Sequence, residues 1–219
     1  MPTITEEAVR VTAGPVLLDG DLVVPPGARG VVLFAHGSGS SRHSPRNRFV
    51  AGQLQSAGLA TLLMDLLTPA EEAVDVRTAE LRFDIGLLAE RLVAAMEWLG
   101  AQQETEALPI GLFGASTGGG AALVAAAERP DAVGAVVSRG GRPDLAGDAL
   151  PLVRAPTLLV VGGEDDLVIK MNESAQARMG SAEVELEIVP GATHLFEESG
   201  TLESVARLAR DWFMQHLAR

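Results

Sequence analysis

Gly114-Ala115-Ser116-Thr117-Gly118 follows the apolar run Leu108-Pro109-Ile110-Gly111-Leu112-Phe113 and precedes the helix-forming stretch Gly120-Ala121-Ala122-Leu123-Val124-Ala125-Ala126-Ala127. This order reads as strand, tight turn and helix, with a serine at the apex of the turn. Such a turn holds the serine in a strained backbone conformation and leaves no room for side chains at the flanking glycines. The following helix aims its N-terminus at the serine and favours negative charge there. A chain with 24 glycines can also produce this pattern as an ordinary Gly-rich turn. Its meaning therefore depends on what comes later.

A second buried-strand pattern, Thr157-Leu158-Leu159-Val160-Val161, runs into Gly162-Gly163-Glu164-Asp165-Asp166. Acids just past the C-terminal end of a strand lie on the edge where open α/β sheets build their sites. Position alone leaves all three acids as candidates. The alternating stretch Val184-Leu186-Ile188-Val189 predicts a further strand, followed by Pro190-Gly191-Ala192-Thr193-His194. His36 and His43 precede the serine, and His216 falls in the expected C-terminal helix, at the surface. His194 follows the last predicted strand, a setting suited to a site residue. Serine, acid and histidine in this order are those of α/β-hydrolases. The chain resembles that family over nearly its whole length, and among its branches the small, lid-poor dienelactone-hydrolase-like esterases.

The resemblance implies an α/β-hydrolase fold in which Ser116 is the nucleophile and His194 the base. The family pattern Gly-x-x-Asp-x-x-Val falls on Gly162 to Val168 and selects Asp165 as the acid. It also implies an oxyanion hole made by two backbone N–H groups, those of Thr117 and Ser38. The apolar run Val31-Val32-Leu33-Phe34-Ala35 reads as a central parallel strand covered on both faces, ending in His36-Gly37-Ser38-Gly39-Ser40. That loop resembles the family's His-Gly segment, with Gly-Ser-Gly where many lipases have three glycines. His36 is expected to hold the loop rather than transfer protons. Dienelactone hydrolases proper use cysteine where this chain has serine. The expected substrate is therefore a small-molecule carboxylic ester, with thioester and lactone as alternatives, and no cofactor or metal is implied.

The remaining sequence agrees with one α/β domain spanning 1–219. Hydrophobic residues make up 47% of the chain, enough for a large core. There are no cysteines, which excludes disulfides, thiolate metal sites and a cysteine nucleophile. The stretch Met1-Pro2-Thr3-Ile4-Thr5-Glu6-Glu7 lacks the basic and apolar regions of a signal peptide, so a cytoplasmic protein is expected. No apolar run approaches a membrane span, and a formal net charge of −12 argues against nucleic acid and anionic membrane as partners. Nothing in the pattern bears on oligomeric state.

Val9–Thr12 and Val16–Val24 predict antiparallel edge strands. Helices are expected over Arg48–Ala57, over Thr78–Leu99 and at the C-terminus, where Val205, Leu208, Ala209, Trp212, Phe213 and Leu217 share a face. Strands are expected over Ala60–Asp65 and Ala132–Ser138. Alternation of strands and helices gives a mostly parallel sheet with an antiparallel N-terminal edge and helices on both faces. The segment Leu67–Asp75 reads as a short mobile flap.

Two arginine clusters follow predicted strand ends: Arg42, Arg46 and Arg48 with His43, then Arg139 and Arg142. Arg42, Arg46, Arg139 and Arg142 are the candidates for binding an anionic substrate group. The competing reading is ion pairing with local acids such as Asp65, Asp144 or Glu72. Two functional alternatives of other classes stand beside the hydrolase. One is a non-catalytic binding module on the same fold. The other is a phosphoribosyltransferase-associated role, which the resemblance raises because similar hydrolases occur fused to such domains; the stretch Val160–Asp166 has an acidic pair after a strand but lacks the Thr-Gly loop that should follow to hold the phosphate.

Overall fold

Val31–Ala35 is buried at every position, as a strand covered on both faces must be. The computed structural model describes residues 6–217. Residues 1–5, which carry most of the N-terminal stretch read above for a signal peptide, lie outside the described residues. Among the described residues the strands are β1 (Glu6–Ala13), β2 (Val16–Val23), β3 (Val31–Ala35), β4 (Ala60–Met64), β5 (Ile110–Ala115), β6 (Val133–Arg139), β7 (Thr157–Gly162) and β8 (Val184–Val189). They form one sheet in the order β1-β2-β4-β3-β5-β6-β7-β8. The β1–β2 and β2–β4 pairs are antiparallel and the others parallel.

The helices are α1 (Pro45–Ser56), α2 (Pro69–Thr78), α3 (Ile85–Leu99), α4 (Thr117–Glu128), α5 (Asp166–Arg178) and α6 (Thr201–Leu217). The two-residue period of the strands splits the core. Leu33, Leu62 and Leu112 pack on one face with Leu88 and Leu92 of α3 and Ala122 and Ala126 of α4. Phe34, Phe113 and Val137 pack on the other with Val50 and Leu54 of α1 and Trp212 and Phe213 of α6. Phe34 and Phe113 are paired in register on β3 and β5, with ring centroids 4.8 Å apart. Burying each such large side chain stabilises the fold by about 1.5–3 kcal/mol. The mid-strand glycine Gly111 has a packing cause: a Cβ there would lie 2.6 Å from the Phe213 ring. Among the described residues no helix is long and apolar enough to cross a membrane.

Three expectations need correction. The single long helix over Thr78–Leu99 is broken. Ala79 ends α2 in the left-handed region (φ 56°), and the 3₁₀ turn Leu81–Phe83 intervenes. Asp84 then caps α3 through the Leu87 N–H (3.0 Å). Apolar spacing continued across this break, so periodicity alone hid it. The supposed flap is largely helix α2, started by a capping box. The Glu71 N–H donates to Thr68 Oγ1 (3.2 Å), and the Thr68 N–H donates to Glu71 Oε2 (2.7 Å). Helix α1 also begins earlier than expected, with Pro45 in its first turn.

Candidate active site

Five loops leave the C-terminal ends of β3, β5, β6, β7 and β8 and converge at one end of the sheet. In the β5–α4 turn Ser116 has φ 51° and ψ −121°, a conformation few non-glycine residues adopt. The turn is this tight because α4 packs directly against the strand ends. A Cβ on Gly114 would lie 2.5 Å from the Gly118 carbonyl oxygen and the Gly119 Cα. A Cβ on Gly118 would collide with the carbonyls of Ala35 and His36. Both glycines of the motif are therefore required by space. The Ser116 N–H donates to the Arg139 carbonyl (3.3 Å), which ties the turn to the end of β6.

His194 leaves β8 on a loop held by its own acid. Glu198 accepts the Thr193 N–H (3.1 Å) and the Thr193 hydroxyl (2.6 Å). The hydroxyl bond is the main cause that holds Glu198 below the ordinary carboxylate range. His194 Nδ1–H donates to Asp165 Oδ2 at 2.7 Å. Asp165 sits at the N-cap of α5 without capping it, so its carboxylate is free to face the histidine. Glu164 and Asp166 are exposed, and Asp166 lies in the first turn of α5. Of the three neighbouring acids, the structure brings Asp165 to His194.

His36 is fully engaged in the β3 loop. Its Nδ1–H donates to the Gly37 carbonyl (2.9 Å), and its Nε2 accepts the Leu66 N–H (3.1 Å). Burial pushes its pKa down, against the opposing Gly37 bond, so the neutral ring staples the loop to the end of β4. Gly37, Ser38, Ser40, Ser44, Arg46, Asn47, Ala115, Ser116, Arg139, His194 and Leu195 line one cavity of about 250 Å³. Thr117 opens α4, where first-turn N–H groups lack intrahelical acceptors. A larger cavity of about 450 Å³ shares Ser40 and Ser44 with the first, and Asp65, Glu72 and His43 line it.

The four arginine candidates separate. Arg42 forms an ion pair with Asp65 and lies 3.7 Å from Asp21. Arg142 clasps Asp144 through two bonds of 2.8 and 2.7 Å. Neither lines the cavity of Ser116, and local acids account for both. Arg46 and Arg139 do line it. Arg46 reaches Glu197 at 3.1 Å, whereas Arg139 pairs with no acid among the described residues. Sequence reasoning placed Arg139 and Arg142 together on the rim and missed that Arg139 is buried. Its position as the last residue of β6 was the available signal. His216, expected at the surface, is half-buried and packs against Trp212, with ring centroids 4.5 Å apart and planes inclined at 55°.

The chain matches the model of the dienelactone hydrolase family over residues 18–215. A crystal structure of a dienelactone hydrolase from Anabaena variabilis is 64% identical, with a TM-score of 0.96, covering 98% of this chain and 99% of that one. Est1E from Butyrivibrio proteoclasticus shares the fold at 17% identity and a TM-score of 0.78, over 97% of this chain and 99% of its own. A Mycobacterium tuberculosis protein named "Putative phosphoribosyl transferase" is 60% identical over 99% of this chain and 48% of its own length. The chain thus spans about half the length of that relative.

Proposed function

The chain belongs to the dienelactone hydrolase family, and from that premise we propose that it is a serine hydrolase cleaving small carboxylic esters through an acyl-enzyme. One observation carries the reading. His194, bonded to Asp165 at 2.7 Å, faces the same small cavity as a serine held at φ 51°.

In this reading Ser116 Oγ attacks the ester carbonyl while His194 Nε2 takes its proton. The Asp165 bond keeps the other proton on Nδ1, so Nε2 is the free base, and it stabilises the cation that forms. The N–H groups of Thr117 and Ser38 hold the developing oxyanion. His194 then returns the proton to the leaving alcohol. Water, activated by the same imidazole, releases the acid from Ser116. Thioesters and lactones use the same steps and are the alternative substrates. The neighbouring 450 Å³ cavity offers room for the second half of the substrate.

The phosphoribosyl name of the mycobacterial relative belongs to a protein about twice this length. Here Asp165 is engaged by His194 and Asp166 lies in a helix turn, which opposes their use as a ribose-binding pair.

A p-nitrophenyl ester chain-length series on wild type and Ser116→Ala tests the proposal. Ser116→Ala should lower kcat by at least about 10³-fold with an unchanged circular dichroism spectrum. A fluorophosphonate probe should label only the wild type. Near wild-type turnover by the folded variant would refute the assignment, and an unlabelled, inactive wild type would favour a binding module.

A further inference from the structure

Arg139 is 7% exposed and stands beside the nucleophile, since β5 and β6 pair Ala115 with Arg139 in register. An arginine cannot shed its charge at neutral pH, so burial without a partner is costly. The other buried arginine, Arg91, meets this cost in the ordinary way, through Glu71 at 2.8 Å and the Ala13 carbonyl. Arg139 has no such arrangement. Its Nε is buried and unpaired, and no acid among the described residues reaches it. The Phe196 ring, 5.7 Å from the guanidinium, offers cation–π attraction but no hydrogen-bond acceptor. Burial and the nearby charge of Arg46 push the Arg139 pKa down to about 10, which still leaves it cationic at neutral pH.

Further positive groups share the cavity wall. Arg46 lies in the first turn of α1, and its Nε is also buried without a partner. The twelve-residue helix α1 begins here, capped by Ser44, with no acid in its first turn. Its N-terminus therefore adds positive potential at the same wall. No acid lines this cavity among the described residues, although the exposed Glu197 reaches Arg46; Asp65 and Glu72 line the adjoining one.

We propose that Arg139, Arg46 and the N-terminus of α1 form a subsite for a phosphate group, so that the ester cleaved at Ser116 carries a phosphate monoester. The charge count favours phosphate over carboxylate. Arg46 also meets Glu197 at 3.1 Å, but the Glu197 side chain is 64% exposed and such a solvated pair is weak, so Arg46 can be shared with a ligand. A carboxylate would match Arg139 alone, whereas a phosphate monoester carries about −1.5 to −2 and three acceptor oxygens, which can draw on Arg46 and the helix N-terminus as well. Two guanidinium forks and a helix N-terminus match those oxygens and that charge. The phosphate would seat on the arginine wall of the 250 Å³ cavity, and the remainder of the substrate would extend towards the acidic one. The inference rests on the hydrolase reading for its chemistry and on the arginine wall for its substrate.

Calorimetry on the full chain carrying Ser116→Ala isolates binding from turnover. Inorganic phosphate should bind at least about tenfold more tightly than acetate. Arg139→Met should weaken phosphate binding by about tenfold or more. Arg46→Gln lies nearer the surface, leaves the buried strand end untouched, and should weaken it in the same direction. In the active protein, the kcat/KM ratio of a phosphate-bearing p-nitrophenyl ester to its neutral isostere should fall in both variants. No heat with phosphate, equal affinity for acetate, or phosphate affinity unchanged in both folded variants overturns the subsite. Turnover of neutral esters without phosphate binding overturns the subsite and spares the hydrolase. Phosphate binding in a wild type that cleaves no ester supports the subsite and refutes the hydrolase.

Discussion

Asp165, Glu164 and Asp166 are three adjacent acids with three different environments. Asp165 faces His194, while Glu164 and Asp166 face solvent. Asp165→Asn should lower kcat by about 10⁴-fold, because an amide in that place favours the wrong histidine tautomer and offers no charge to the imidazolium. Glu164→Gln and Asp166→Asn should each cost less than about threefold, as expected of exposed groups. Steady-state kinetics on the three variants checks this, and a larger loss at Asp166 would reassign the acid. The sequence reduced the acid to these three and the family pattern chose one. The bond itself depends on two loops 29 residues apart meeting at 2.7 Å.

Helix α2 and the turn after it show how one buried acid holds an element in place. Asp75 accepts the backbone N–H groups of Leu81 and Arg82 at 2.7 and 3.1 Å, and Arg82 Nε donates to it at 2.6 Å. Burial alone would raise its pKa. The bonds from Arg82 and Leu81, with the Arg82 charge, outweigh this and hold it below the ordinary carboxylate value. A lowered folded-state pKa means that the contribution to stability is complete above the unfolded-state value, about 4. It is lost as the pH falls through the lower folded-state value. The Tm difference between wild type and Asp75→Asn should therefore be largest near neutrality and shrink progressively below about pH 4. A gap independent of pH would show that the carboxylate charge is not what holds the turn. The break between α2 and α3 was hidden in sequence because Leu81 and Ile85 continue the apolar spacing of α3. The stop comes from Ala79 in a left-handed conformation, which composition does not announce.

At the scale of the whole molecule, a formal net charge of −12 surrounds a cavity with a cationic wall. The two act over different ranges. Repulsion of an anionic substrate by the molecule is long-ranged and screened by salt, with a Debye length of about 8 Å at physiological ionic strength. A contact with buried Arg139 is screened far less. The kcat/KM ratio of a phosphate-bearing ester to its neutral isostere should hold or rise between about 50 and 500 mM salt. A solvated rim would make that ratio fall. Initial-rate measurements across the salt series separate the two.

Local chemistry made much of this protein legible from its residues. Gly114 and Gly118 around Ser116 and the apolar runs of β3, β5 and β7 follow from steric and burial rules that act within a few residues, whereas the order of serine, acid and histidine was read from the family resemblance. Those rules were enough for the α/β class and the antiparallel edge. The fate of the arginines was not legible, because it depends on which acids the fold brings near each one. Arg42 and Arg142 find Asp65 and Asp144. Arg139, only three residues before Arg142, ends β6 at the cavity wall and finds none among the described residues. Charge pairing is a long-range property of the packed chain, so the step from a basic cluster to one buried, unpaired guanidinium beside Ser116 belongs to the tertiary structure.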